Sequence, residues 1–219
     1  YSNFPISDGV SVDIYHLSLS QRMMQDIKKD DINFYTYVKN LLQKKSVCYN
    51  IKYKIVNNSF DGYIKDIKEA YILKDNSKVT VELLNANYEG SGPLMAPDRL
   101  SSEIGAITFT VTKGSEEFNV LLKDFSSSSS FESQSTYASG ARLKSIELTI
   151  KGTPAKDAVV KASDLHINVS SNTQGDKAEY NVKSSFKALD IIAKASTLQA
   201  SDFNYDISLS NVDKESIEE

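Results

Sequence analysis

Apolar and polar residues alternate strictly along the C-terminal half of the chain. After Ala162-Ser163-Asp164-Leu165 the apolar positions are Leu165, Ile167 and Val169, and after Ala200-Ser201-Asp202-Phe203 they are Phe203, Tyr205, Ile207 and Leu209. Alternation at a period of two marks a strand with one apolar face. A third copy of the pattern, Leu121-Leu122-Lys123-Asp124-Phe125, precedes these, and the aspartates fall 40 and 38 residues apart. A strand unit recurring at that spacing predicts a serial antiparallel meander. The aspartates read as turn residues where strands begin, each capping a backbone N–H.

The same pattern analysis predicts a first strand over Val10 to Leu19 and then a helical stretch. Ser20 is placed to cap it, and Met23, Met24, Ile27, Ile32, Phe34, Tyr35, Val38, Leu41 and Leu42 follow helical spacing. The cluster Lys28-Lys29-Asp30-Asp31 interrupts that run, so one bent helix or two short ones are expected, resting on one face of the sheet. From Val47 onward, short alternating runs are divided by turn residues: Val47 to Val56, Phe60 to Ile64, Ala70 to Leu73 and Val79 to Leu84. Residues 88–97 hold clustered Gly and Pro and read as a loop or hinge. Further strands are expected at Ala106 to Thr112, Phe118 to Leu122, Ile146 to Ile150, Ala178 to Phe186 and Leu189 to Ala193, with Lys113-Gly114-Ser115 as a tight turn. The serines from Ser126 to Ser130 are flanked by Phe125 and Phe131, which favours an exposed or edge strand over a linker. Asn211 to Ile217 reads as the start of a helix.

The expected fold is therefore mainly β (α+β): a curved antiparallel β meander or open half-barrel with an N-terminal helix packed on one face. Residues 1–219 are read as one elongated domain, with a subdivision into 1–87 (helix and first hairpins) and 98–219 (serial sheet) about the hinge at 88–97. Polar residues fill nearly every alternate position of the later strands, which implies a single layer with one wet and one apolar face. That apolar face must be covered by the fold itself, by a second copy or by an apolar ligand.

Composition narrows the function classes. Charged residues are 25% and apolar ones 40% of the 219 residues, with a formal net charge of -4; this is a globular composition without the basic excess that draws nucleic acid. Aromatic residues are abundant but Trp is absent, unlike a sugar-stacking platform. The single Cys48 precludes an internal disulfide and a multi-thiolate metal site, and its β-prone context reads as a buried or half-buried thiol. No apolar run is long enough to span a membrane as a helix. The chain opens on Tyr1-Ser2-Asn3-Phe4-Pro5 without an initiator Met, which we read as removal of an upstream segment.

No catalytic set emerges. His16 and His166 each lie in a strand-like run without a second ligand beside them. Gly90-Ser91-Gly92 is followed by Pro93-Leu94 rather than by a phosphate-loop helix. Asp124, Asp164 and Asp202 are each alone in their repeat, whereas calcium loops gather several carboxylates within about a dozen residues. No catalytic residue, cofactor or metal is assigned.

Val79-Thr80-Val81-Glu82-Leu83-Leu84 running into Gly90-Ser91-Gly92-Pro93-Leu94, the strand Ile104-Gly105-Ala106-Ile107-Thr108-Phe109 that follows, and Phe203 to Asp213 resemble the YdgA-like family of bacterial envelope proteins. Ser91 stands where that family has a His before its Gly-Pro. The resemblance covers about a fifth of the chain. It implies an elongated β-rich body in the periplasm or at the cell surface and an N-terminal membrane anchor, and it supplies no catalytic residues. The function expected is a non-enzymatic cell-envelope module that binds a lipid-like ligand or hydrophobic partner on an apolar groove formed by Leu165, Ile167, Val169, Phe203, Tyr205 and Ile207. A surface adhesin or pilin-like structural subunit, forming a homo-oligomer, is the alternative.

Overall fold

The computed structural model describes every residue except 1–3, 7–8, 15–18, 43–46, 74, 95, 134, 153–156, 195 and 214–219. In chain order the elements are β1 (Phe4–Ile6), β2 (Gly9–Ile14), α1 (Gln21–Asp30), α2 (Ile32–Leu42), β3 (Tyr49–Lys54), β4 (Ser59–Ile64), β5 (Ile67–Ile72), β6 (Lys78–Ser91), β7 (Arg99–Lys113), β8 (Glu116–Phe131), β9 (Tyr137–Lys151), β10 (Ala158–Gln174), β11 (Lys177–Ala193) and β12 (Ser196–Asp213). The strands form one open antiparallel sheet in the order β1-β2-β3-β4-β6 through to β12, and β5 pairs with β6 off this path. The expected mainly β meander with N-terminal helices is the fold observed.

The helical run divides into two helices because Asp31 serves as a cap between them. Its backbone is extended, with φ −150° and ψ 108°. Its carboxylate accepts from the N–H of Asn33 at 2.7 Å and of Phe34 at 3.1 Å, two donors that the first turn of α2 cannot satisfy. Ser20 caps α1 as its position predicts, accepting from Met23 N–H at 3.3 Å. The Tyr37 ring of α2 stacks on Tyr71 of β5, with centroids 4.4 Å apart.

The aspartate repeat does not mark the beginnings of strands. Asp124, Asp164 and Asp202 lie inside β8, β10 and β12, and each has the left-handed backbone (φ 51°, 49° and 54°) that Asp and Asn adopt more readily than other side chains. Asn85, inside β6 with φ 54°, is a fourth member of the series, hidden in the sequence because it is not an aspartate. Pairing continues in unchanged register on both sides of each: Lys123 faces Ser145 and Phe125 faces Leu143, so Asp124 lies opposite Lys144. By the same registers Asn85 and Asp124 both face Gly105, Asp164 faces Lys144 on one side and Lys187 on the other, and Asp202 faces Lys187. The left-handed residues therefore stand in one line across the sheet. That line reaches the gap between β4 and β5, where Ile64 pairs with Ala86 and Ile67 with Leu83, and Asp66 accepts from Asn85 N–H at 2.9 Å.

Other boundaries shift for related reasons. The serine run is strand, as expected, but an interior one: β8 pairs with β7 on one side and β9 on the other. The expected strands at 178–186 and 189–193 are one strand, β11, passing through the line opposite Asp164 and Asp202. Tyr88 to Ser91 belong to β6 and pair as far as Arg99, leaving 92–98 as the connection to β7. Asn211 to Asp213 end β12, and the rest of the expected C-terminal helix, like His16, Leu17 and most of the first strand's far end, lies outside the described residues.

The sheet buries little on its own. Among the described residues the buried apolar ones are Val47, Cys48, Ile51, Phe60, Val79, Ala86 and Ala178. All but the last lie at the N-terminal end, where aromatic rings cover glycines. A Cβ on Gly62 would fall 2.2 Å from the Tyr88 hydroxyl, and one on Gly90 would fall 2.3 Å from the Phe60 ring. Tyr88 also stacks on Tyr49, with centroids 4.8 Å apart, and its hydroxyl donates to the Asn50 carbonyl; burial, then Tyr49, pushes the phenol pKa upward.

Because the bend needs a left-handed backbone, a β-branched replacement is expected to suffer more than removal of the side chain. Asp164→Val should lose about 1–2 kcal/mol relative to Asp164→Gly in urea unfolding. Equal stability of the two variants would refute the bend's role.

Candidate functional site

Strict alternation would put Leu122 and Phe125 on opposite faces. The left-handed Asp124 between them resets the alternation, as a bulge does. Leu122, paired with Ile107 and Ile146, and Phe125, paired with Ile104 and Leu143, line the same hollow. The effect repeats across the sheet. On one side of the line runs a transverse rank of partners Leu83, Ile107, Leu122, Ile146, Ala162, Leu189 and Ala200; on the other runs Ala86, Ile104, Phe125, Leu143, Leu165, Phe186 and Phe203. One apolar surface thus crosses the bend unbroken.

Within it lies a hollow of about 510 Å³ lined by Ile104, Ile107, Leu122, Phe125, Leu143, Leu165, Ile167 and Phe186, with Arg142 and His166 also in its lining. Of the residues anticipated from the sequence, Leu165 and Ile167 line it directly. Phe203, Tyr205 and Ile207 occupy the same ranks two strands away on β12, across Phe186, Ser184 and Val182 of β11. Val169 shares a rank with Val182 and Ile207. Phe203 stacks on Phe186 with centroids 5.0 Å apart, which joins the outer strand to the hollow. These groups remain open to solvent: Ile167 is 45%, Phe203 48%, Tyr205 48% and Ile207 39% exposed. No described element of the fold covers them.

The sequence reading missed Ile104, Ile107, Leu122, Phe125, Leu143 and Phe186. Their parities differ from strand to strand and switch at each bend, so alternation alone could not assign them to one face. The signal that identifies them is the aspartate spacing, once it is read as an alignment of bends rather than of turns.

Charge is gathered on the opposite face and along the bend. Arg142 Nη2 donates to Asp164 Oδ1 at 2.8 Å, and Lys144 Nζ lies 3.1 Å from Asp124 Oδ2. The Arg142 hydrogen bond, supported by the charges of Arg142, Lys187 and His166, holds the Asp164 carboxyl below its ordinary value. Cross-strand partners on this face carry opposite charges: Lys151 with Glu117 at 3.0 Å, Lys161 with Glu147 at 3.2 Å and Lys183 with Asp206 at 3.1 Å. Exposed pairs of this kind contribute only about 0–1 kcal/mol each, so their main effect is on register. A hollow of about 650 Å³ on the polar side, lined by serines, Asn168, Asn181, Lys54, Arg99 and Lys183, offers hydrogen bonds in competition with water. Among the described residues no cluster of three or more His, Cys, Asp or Glu could hold a metal ion. The buried Cys48 thiol lies away from the hollow's lining.

Comparison with known proteins adds no relative: no family model, curated protein or solved structure matches the chain.

The Asp164 carboxyl provides a check on the bend's electrostatics. Its folded pKa is depressed, so its contribution to stability is present above the unfolded value of 3.8 and is lost as pH falls through the lower folded value. Arg142→Ala should raise the Asp164 pKa toward 3.8, as read by NMR titration of the side-chain carboxyl. An unchanged titration would show that Arg142 is not the cause.

Proposed function

We propose that this chain is a non-enzymatic module of a bacterial cell envelope that holds the acyl portion of a lipid-like ligand against the apolar face of its sheet. The observation that carries the reading is the hollow across the bend: eight apolar side chains from five strands converge on it, and the described residues leave it open. Its volume of about 510 Å³ falls within the range of about 300–1,000 Å³ typical of small-molecule sites. A surface that is flat in chemistry, elongated along a rank and free of convergent donors suits a hydrocarbon chain better than a polar metabolite. The envelope setting rests on the resemblance of Val79 to Leu94 and Phe203 to Asp213 to envelope proteins.

The absence of a reaction in this proposal follows from the chemistry of the hollow. General acid–base or nucleophilic catalysis needs titratable groups within hydrogen-bond reach of a shared reacting atom. In the hollow, Arg142 is engaged with Asp164, and His166 is the remaining titratable side chain of the lining.

Titration with a dansyl-labelled fatty acid tests the proposal. Saturable binding is expected, with Ile167→Asp lowering affinity by roughly tenfold, equivalent to about 1.4 kcal/mol. Ile192→Asp, on the opposite face by its register with Val159 and Thr197, should leave affinity unchanged. Equal effects of the two substitutions, or no saturable binding, would remove the apolar face as the site.

A further inference from the structure

The sheet is closed at neither side, and its C-terminal edge is its longest strand. β12 runs for 18 residues and, among the described residues, pairs with β11 alone. Nearly all of it is exposed, including Leu198, Phe203, Tyr205, Ile207 and Leu209. A long apolar edge with unpaired N–H and C=O groups is a template for another strand. Its composition specifies which one. β12 carries Asp202, Asp206 and Asp213 and has no Lys or Arg, the inverse of what an edge protected against pairing contains. Asp206 and Asp213 already pair with Lys183 and Lys177 of β11. Asp124 and Asp164 at the other bends each hold a basic side chain, whereas Asp202 has no ion pair among the described residues.

A second copy of β12 does not fit this edge. Antiparallel self-pairing that aligns the two bends sets Asp202 against Asp202, a like-charge pair. It also sets Phe203, on the apolar face, against Ser201, on the polar face. Partners in an antiparallel ladder share a face, so the apolar ranks and the bend cannot both be matched. The strands that do meet left-handed residues in this sheet run in the complementary order, apolar residue, bend position, small residue: Ile104-Gly105-Ala106 in β7, Leu143-Lys144-Ser145 in β9 and Phe186-Lys187-Ala188 in β11, with Lys at the bend position in the two that face the aspartate of β10.

We propose that the β12 edge is an interaction surface for an extended, lysine-bearing strand of a partner protein, added antiparallel with an apolar-Lys-small step across Asp202. Main-chain bonds along the edge supply the attachment. The apolar residue before the partner's Lys continues the rank of Phe203, the residue two after it continues that of Ala200, and the Lys meets the carboxylate that β11 leaves unpaired.

The experiment uses the whole chain and a labelled synthetic peptide with the sequence of residues 177–193, which already makes this pairing with β10 and β12. Fluorescence anisotropy should show saturable binding, weakened about 2–5-fold when the peptide carries Lys187→Glu. In the protein, Asp202→Lys should reverse that preference. Asp202→Asn, which keeps a residue tolerant of the left-handed backbone, should abolish the preference while retaining binding. Absence of binding, binding indifferent to the charge at either position, or a chain that sediments as a dimer and refuses the peptide would overturn the proposal.

Discussion

The architecture depends on one backbone constraint, a left-handed residue in the middle of alternate strands. A sheet of 14- to 18-residue strands can be apolar on one side only if every strand keeps its alternation in phase with its neighbours. Each bend at Asn85, Asp124, Asp164 and Asp202 shifts that phase by one position. A bend in one strand alone would therefore transfer half of its apolar residues to the polar face. The bends survive because they are aligned, and because the strands between them bend in step without a change of register. Asp and Asn suit these positions because a short polar side chain lowers the cost of the left-handed backbone.

A bent sheet of this kind cannot bury its own apolar surface. In two-layer folds the inner face of a sheet is covered by helices or by a second sheet. Here α1 and α2 lie in the N-terminal region, with the Tyr37 ring on β5, and burial is concentrated at that end. From β7 onward, stabilisation comes from the ladder and from cross-strand pairs rather than from an enclosed core. The aromatic pairs Phe109–Phe118 and Phe186–Phe203 and the hydroxyl pairs Ser102–Ser127 and Ser129–Ser139 are of this type. The surface left open is the one on which the lipid-binding proposal rests.

Much of this was legible in the residues. Alternation identified the strands around Leu165 and Phe203, their single apolar face and the meander; helical spacing after Ser20 identified the helical segment, and the Lys28 to Asp31 cluster marked where it could bend or divide. The position of the bends was not legible, because Asp is as common in turns as at left-handed positions, and a local pattern does not distinguish a strand that begins after Asp164 from one that passes through it. The same ambiguity concealed six of the hollow's eight apolar residues. Ile107 and Leu122 appear out of phase with Ile104 and Phe125 until the bend between them is known. Asn85 shows the limit most clearly, since it continues the series in space while sharing neither residue type nor flanking sequence with the aspartates.

Register in so repetitive a sheet requires a discriminating signal, and the apolar face does not provide it. A slip of two residues between β8 and β9 would leave the side chains away from the bend on their own face, exchanging one aliphatic neighbour for another at small cost. The same slip would set Asp124 opposite Ile146 instead of Lys144 and would carry Glu117 away from Lys151. It would also separate the bends, so that one strand turns where its neighbour runs straight. The charged face and the bend line thus specify the pairing that the apolar face only tolerates. This division of labour leaves the apolar side chains free of a role in alignment, and their surface available for binding.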